Sequence, residues 1–353
     1  MKKLYIVITA IVLAAMLMPA CTPTAPDCSL PDVVCAALVT DVGKVDDKSF
    51  NQSSWEALQQ LKDEGLVDWI QYIETTDSKD YGKNLAVFGD DGYDFIITSG
   101  FNLGTASIEG AKLYPATYII GVDQSAFVFT PAGETTPTNF IGVAYQEDQS
   151  GFLVGALAAA MSESNMIGAV AGLSSIPPVW RYGEGYKAGA AYADAQMGMM
   201  TEVTVVYHDD VGIDKAFTDP EWGATTADSM LDQGVDVIFG IGGKTGNGAV
   251  EAAAARGAYG IGVDKDQYFE LTTAAPLMLT SALKVIKDDV YTVIAGVLDG
   301  SIMGGGDFAG TNGFAPYHDL EDTVPAEVKT MMTEIQAGLT DGTILTNVPP
   351  VKP

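Results

Sequence analysis

From Val33 onward, short runs of β-branched and other apolar residues alternate with stretches whose apolar positions recur every three to four residues. A short continuous apolar run suits a strand buried on both faces, whereas the three-to-four spacing suits a helix that hides one stripe. Strands are expected at 34–40, 68–73, 95–98, 117–122, 166–170, 201–207, 235–239 and 260–263, and helices at 51–64, 104–113, 149–161, 184–197, 225–233, 249–256 and 327–339. Alternation of this kind builds parallel sheets covered by helices on both faces, the α/β class. The strands fall into two groups of at least four, before and after about residue 145, each the size of one doubly wound lobe.

An internal repeat supports two lobes. Asp94-Phe-Ile-Ile-Thr-Ser-Gly100-Phe-Asn-Leu-Gly104 precedes Glu109 and ends in Gly121-Val-Asp123; Asp236-Val-Ile-Phe-Gly-Ile-Gly242-Gly-Lys-Thr-Gly246 precedes Glu251 and ends in Gly262-Val-Asp264. The last aspartate follows the first by 29 positions in one unit and 28 in the other, so the match persists across a whole strand–helix–strand unit. Ligands of parallel α/β sheets bind outside the carboxyl ends of the strands. Asp123 and Asp264 therefore belong at that edge, one from each half, facing a shared cleft.

The first twenty residues follow another pattern. Met-Lys-Lys is followed by an uncharged, mostly apolar run from Leu4 to Met18, then Pro19-Ala20-Cys21. This reads as an export signal (1–20), and it is shorter than the roughly 20 apolar residues a spanning helix wants. The junction resembles a bacterial lipobox, which implies cleavage before Cys21 and lipidation of that residue. Residues 21–33 carry the prolines and small polar residues of a linker. With Cys21 assigned to lipid, Cys28 and Cys35 remain as an even pair in an oxidising compartment, where a disulfide and two free thiols both fit. His208 and His318 are the only histidines, and there is no Cys-x-x-Cys, so no metal or cofactor is expected.

Charge narrows the partners. Forty-six Asp and Glu against 18 Lys and Arg give a formal net charge of −28, which the loss of Lys2 and Lys3 would take to −30. Nucleic acid is excluded, because binding phosphates needs a basic footprint. After the first strand, Ser49 and Gln52 have the spacing of a capping box, so a helix is expected to start there with Trp55, Leu58 and Leu61 on its core face. Phe50 and Asn51 then sit in its first turn at the ligand edge. A ring face beside an amide suits a flat heterocycle with hydrogen-bonding edges.

The run Leu38-Val-Thr-Asp41-Val-Gly-Lys-Val-Asp46-Asp47-Lys-Ser-Phe50-Asn51-Gln52 resembles the signature of the basic membrane lipoprotein family, the substrate-binding lipoproteins of bacterial nucleoside ABC importers. The likeness continues through 234–238, 240–248, Ile261-Gly-Val-Asp264-Lys-Asp-Gln267 and Leu279-Thr-Ser-Ala-Leu-Lys284. It implies a type I periplasmic binding protein fold and a purine-nucleoside site. Asp41, Asn51 and Asp123 would then be polar partners of the base. Phe50 and Phe217 would be its stacking aromatics, with Trp180 a further aromatic at the cleft. Gly242, Asp264 and Lys284 would take the ribose side. Where the family commonly has Gly-Gly after Asp41 and its neighbour, this chain has Gly43-Lys44, which changes the loop a ligand passes.

Such a fold crosses between lobes three times, and the crossings are expected near 144, 277 and 305. An N-terminal lobe of 34–144 plus 278–304 and a C-terminal lobe of 145–277 plus 305–345 result. Gly240-Ile-Gly-Gly-Lys-Thr-Gly imitates a phosphate loop, but the required earlier glycine is Ile238. The leading expectation is a binding protein, not an enzyme, exported and anchored to the outer face of the cell membrane. It would capture a purine nucleoside and dock on ABC permease subunits. A simple-sugar binder, or a sensor of the same fold, is the alternative; a nucleoside-cleaving enzyme is disfavoured because no Asp-x-Asp-x-x-x-Asp-Asp cluster marks the first strand.

Overall fold

The computed structural model describes residues 25–353. The export signal and Cys21 lie outside the described residues. Two six-stranded sheets organise the chain. The first contains β1 (Cys35–Val42), β2 (Trp69–Thr75), β3 (Phe95–Ser99), β4 (Tyr118–Val122), β5 (Phe140–Ala144) and β11 (Gly306–Ala309), in the order β11-β5-β4-β3-β1-β2. The second contains β6 (Met166–Ala171), β7 (Glu202–Tyr207), β8 (Val237–Ile241), β9 (Tyr259–Asp264), β10 (Met278–Lys284) and β12 (Asn312–Phe314), in the order β12-β10-β9-β8-β6-β7. The orders are the same path walked twice, and every pairing is parallel except β10 with β12.

The longer helices are α1 (Phe50–Asp63), α2 (Tyr81–Asp90), α3 (Gly104–Leu113), α4 (Glu147–Met161), α5 (Pro177–Met197), α6 (Pro220–Asp232), α7 (Gly243–Ala255), α8 (Ile286–Asp299) and α9 (Ala326–Asp341). Each lobe packs apolar helix stripes on both sheet faces. In the first, Leu58 and Leu61 of α1 join Val290, Val293 and Ile294 of α8 over Leu38, Ile97 and Ile120, with Trp55 at the margin. In the second, α9 returns to pack Val328, Met332 and Ile335 into the core that holds α4 and α5. Those two helices touch backbone to backbone. A Cβ on Gly155 would stand 2.1 Å from the Tyr186 carbonyl oxygen, and one on Gly189 would stand 1.9 Å from that of Phe152.

The lobe boundaries differ from those read from the sequence. β10 pairs with β9, so 278–284 belongs to the second sheet, and the chain crosses at 285 instead of near 277. β11 pairs with β5 in the first sheet, so the last crossing falls at 310–311 and not near 305. Apolar runs buried on both faces carry no mark of which sheet they join; the hydrogen-bonding partner decides. Gly304-Gly305-Gly306 leads into β11, while α8 has already ended at a left-handed Gly300 (φ 79°). The linker is also shorter than expected. Cys28 is buried and disulfide-bonded to Cys35, with Cα atoms 5.7 Å apart, so residues from 28 onward are docked on the lobe.

Candidate functional site

The carboxyl ends of β1, β3, β4, β8, β9 and β10 meet at one cleft between the lobes. The repeat is legible in its walls. Asp123 directly follows β4 and Asp264 ends β9, with φ of 62° and 67°, a left-handed conformation that L-residues other than Asn and Asp rarely adopt. Gly100 and Gly242 follow β3 and β8 with φ of 124° and 117°. A Cβ on Gly100 would stand 2.6 Å from Asp41 Oδ2, and one on Gly242 would stand 3.0 Å from the Phe217 ring. Each glycine thus clears room for a different cleft residue.

The loop after β1 is built by Asp47, not Ser49. The buried Asp47 carboxylate accepts from the backbone N–H groups of Ser49 (2.9 Å), Asn51 (2.9 Å) and Gln52 (3.1 Å), capping α1. Gln52 Oε1 reaches back to the N–H of Lys48. Ser49 is therefore released from capping, and its hydroxyl donates across the cleft to Asp264 Oδ2 at 2.6 Å. Burial pushes the Asp47 carboxyl up to about 6 against the pull of those N–H donors. Asn51 Nδ2 donates to Lys44 O at 3.3 Å, while its buried Oδ1 has no partner. Asp41 accepts from the Tyr81 hydroxyl and from the Val42 N–H; burial nevertheless holds its carboxyl above the ordinary range.

Lys284, at the end of β10, is the buried cation of the cleft. Its Nζ donates to both Asp123 oxygens, at 2.8 and 2.6 Å, and lies 3.1 Å from Glu147 Oε1. The rings of Phe50, Tyr145 and Tyr182 surround it, with centroids 5.3, 5.5 and 5.3 Å away. Burial works to lower the ammonium pKa, but Asp123, Glu147 and Asp264 outweigh it and keep Lys284 charged. Burial also raises Asp123, and the Lys284 charge opposes that rise. Behind this pair, Arg181 forms a salt bridge to the second oxygen of Glu147.

Of the residues singled out by sequence, Asp41, Phe50, Asn51, Asp123, Phe217, Gly242, Asp264 and Lys284 line the cleft. Trp180 does not. Residues two apart on a helix point in nearly opposite directions, and on α5 it is Pro178, Val179 and Tyr182 that face the cleft. Tyr182 keeps a buried hydroxyl without a partner. Sequence reasoning missed Asp47, Tyr182, Glu147 and Arg181. The i,i+3 pair Val179 and Tyr182 was a readable signal; the meeting of Glu147, Arg181 and Lys284 across three elements was not. Lys44, at the position where the family commonly has glycine, lines the cleft rim and pairs with Glu74 at 2.7 Å.

The lobes touch across the mouth of the cleft. Asn247 Nδ2 donates to Asp47 O (2.9 Å), Gln267 Nε2 to Lys48 O (2.8 Å), Lys244 pairs with Asp46 (2.9 Å), and Lys265 pairs with Glu56 (2.9 Å). No group of three or more His, Cys, Asp or Glu side chains suited to a metal ion occurs among the described residues. Aromatic faces, an unpartnered amide oxygen and charged groups on opposite walls suit enclosure of one small, flat, polar molecule.

Two doubly wound lobes closing on such a cleft define a type I periplasmic binding protein, here an extracytoplasmic substrate-binding protein that serves an ABC permease. The chain belongs to the Bmp family: the model described as ABC transporter substrate-binding protein PnrA-like matches residues 34–310. Basic membrane protein B of Borreliella burgdorferi is 32% identical over 261 residues, covering 71% of this chain and 70% of that protein. A Lactococcus lactis protein named ABC transporter nucleoside-binding protein BmpA is 28% identical over 287 residues, 76% of each chain. Among solved structures, an ABC transporter solute-binding protein from Aeropyrum pernix superposes with a TM-score of 0.74 at 26% identity, covering 88% of this chain and 92% of the other.

Proposed function

We propose that this protein captures purine nucleosides in the interlobe cleft and delivers them to the permease of an ABC importer, without chemical turnover. The observation that carries the reading is one wall that sets Phe50 beside the buried, unpartnered Asn51 Oδ1, with Phe217 on the facing lobe. A purine offers a broad π face to the rings and N–H groups on its edge to the amide oxygen. Asp264 and Lys284 on the second lobe provide an acceptor and a donor for adjacent ribose hydroxyls, and the nucleoside-binding relative supports the same ligand class. A phosphate would meet Asp41, Asp47, Asp123 and Asp264 in the same cleft, so nucleosides are favoured over nucleotides. A stacked base with several charge-assisted hydrogen bonds gives an expected submicromolar Kd, beyond about −8 kcal/mol.

Titration calorimetry with adenosine, guanosine, inosine, uridine and free ribose tests this. Binding of ribose with no response to any nucleoside would overturn the nucleoside claim, and release of free base on prolonged incubation would overturn binding without turnover. We also assign Cys21 as the lipid-bearing residue of the mature protein. Cys21→Ser should then release the protein from the membrane fraction in its native host; continued membrane retention would remove that assignment.

A further inference from the structure

Glu147 has no solvent exposure, and it opens α4 immediately after the first crossing between lobes. Its two carboxylate oxygens face different cations, Lys284 Nζ at 3.1 Å and the Arg181 guanidinium. Lys284 is in turn held from both lobes. Asp123 reaches it from the first lobe, whereas Glu147 and Arg181 belong to the second, the same lobe as β10. The backbone contact of α4 with α5 fixes Glu147 relative to Arg181, since glycines at 151, 155, 185 and 189 let the helices approach without intervening side chains. A hinge motion that carries the first lobe away takes Asp123 with it and leaves the Glu147 contact in place.

Building on the nucleoside reading, we infer that Glu147 and Arg181 are a positioning pair that holds the Lys284 ammonium aimed at the sugar subsite independently of the first lobe. A lysine stem released by Asp123 would otherwise have several rotamers to lose on meeting the ligand, and preorganisation removes that cost. Arg181 balances the second charge brought into the interior, so that Glu147 serves Lys284 without leaving an unpaired carboxylate.

The test uses the full chain and two ligands, adenosine and 2′,3′-dideoxyadenosine, with Glu147→Gln, Arg181→Met and Arg181→Lys. Glu147→Gln is expected to weaken adenosine by about tenfold or more and the dideoxy analogue by much less, a coupling of the size seen between contacting groups. Arg181→Met should move in the same direction and Arg181→Lys should recover most of the loss; this pair decides the matter if Glu147→Gln does not fold. Equal losses for both ligands, or no loss, would overturn the positioning role and leave the nucleoside reading standing. Failure of the unaltered protein to bind adenosine, guanosine or inosine would overturn the nucleoside reading, and this inference with it; if only guanosine or inosine binds, that nucleoside and its 2′,3′-dideoxy analogue replace the adenosine pair.

Discussion

Asp123 and Asp264 are the same residue of one structural unit written twice, with φ of 62° and 67° at the ends of equivalent strands. Their surroundings have nonetheless diverged. Asp123 is clasped by the Lys284 ammonium through both oxygens, while Asp264 accepts a serine hydroxyl from the opposite lobe at 2.6 Å. The backbone that presents a carboxylate to the cleft is common to both halves; what each carboxylate meets is set by side chains outside the repeated unit. Duplication here preserved the position of a charge and left its chemistry free to change.

The largest expected effect breaks the Asp123 side. Lys284→Met removes the ammonium shared by Asp123 and Glu147 and leaves buried carboxylates short of a counter-charge, costing about 3–5 kcal/mol of stability and abolishing ligand binding. Chemical denaturation read by circular dichroism checks the first part, and calorimetry the second. A loss below 1 kcal/mol would mean that the pair is not the anchor its geometry indicates.

Next in size are the aromatics. Phe50→Ala should weaken nucleoside binding by about 1–3 kcal/mol through lost stacking, with Phe217→Ala acting similarly from the other wall. Comparing the two by calorimetry shows which lobe contributes more of the stacking; unchanged affinity in both would exclude stacking.

Ser49→Ala tests the Asp264 side and should cost about 1.5–3 kcal/mol of closed-state stability, the net worth of a hydrogen bond to a charged group. Small-angle scattering should then show the population shifted toward a more open form. A larger cost than that of Lys284→Met would reverse the ranking of the two aspartates.

The smallest effect is a pH slope. The Asp47 carboxyl is raised by burial to about 6, from an ordinary 3.8, so between these values the folded protein keeps a proton the unfolded chain has released. The folded state therefore loses stability as pH rises through that window, and regains it on acidification. Asp47→Asn should reduce the slope of the melting temperature between pH 4 and pH 6, leaving the part owed to Asp123, which burial also raises; an unchanged slope would place its origin elsewhere.

Much of the fold was legible in the sequence because its periodicities are local. The two groups of strands, the repeated unit and the helix at 104–113 rest on patterns within thirty residues. Assigning 278–284 to a sheet was a different problem, since a strand buried on both faces looks alike wherever it is inserted. The capping box failed for an instructive reason: Ser49 has the right spacing, but Asp47 reaches three N–H donors and frees Ser49 for Asp264. Phe50, Asn51 and Asp264 were readable from their places at strand and helix ends. Glu147 and Arg181 were not, because their meeting depends on helix packing between distant segments. Trp180 was misplaced by helical phase alone.

The Cys28–Cys35 bond has a mechanical consequence. Any tension on the residues ahead of Cys28 passes through it into the first residue of β1, which lies between β2 and β3 in the interior of its sheet. Force then runs along the strand and loads both neighbouring ladders together, in shear, so that their hydrogen bonds resist at once and are not peeled apart one at a time. The lobe is thereby gripped at its middle, and a tug on its leading end is spread across the sheet that carries half of the binding cleft.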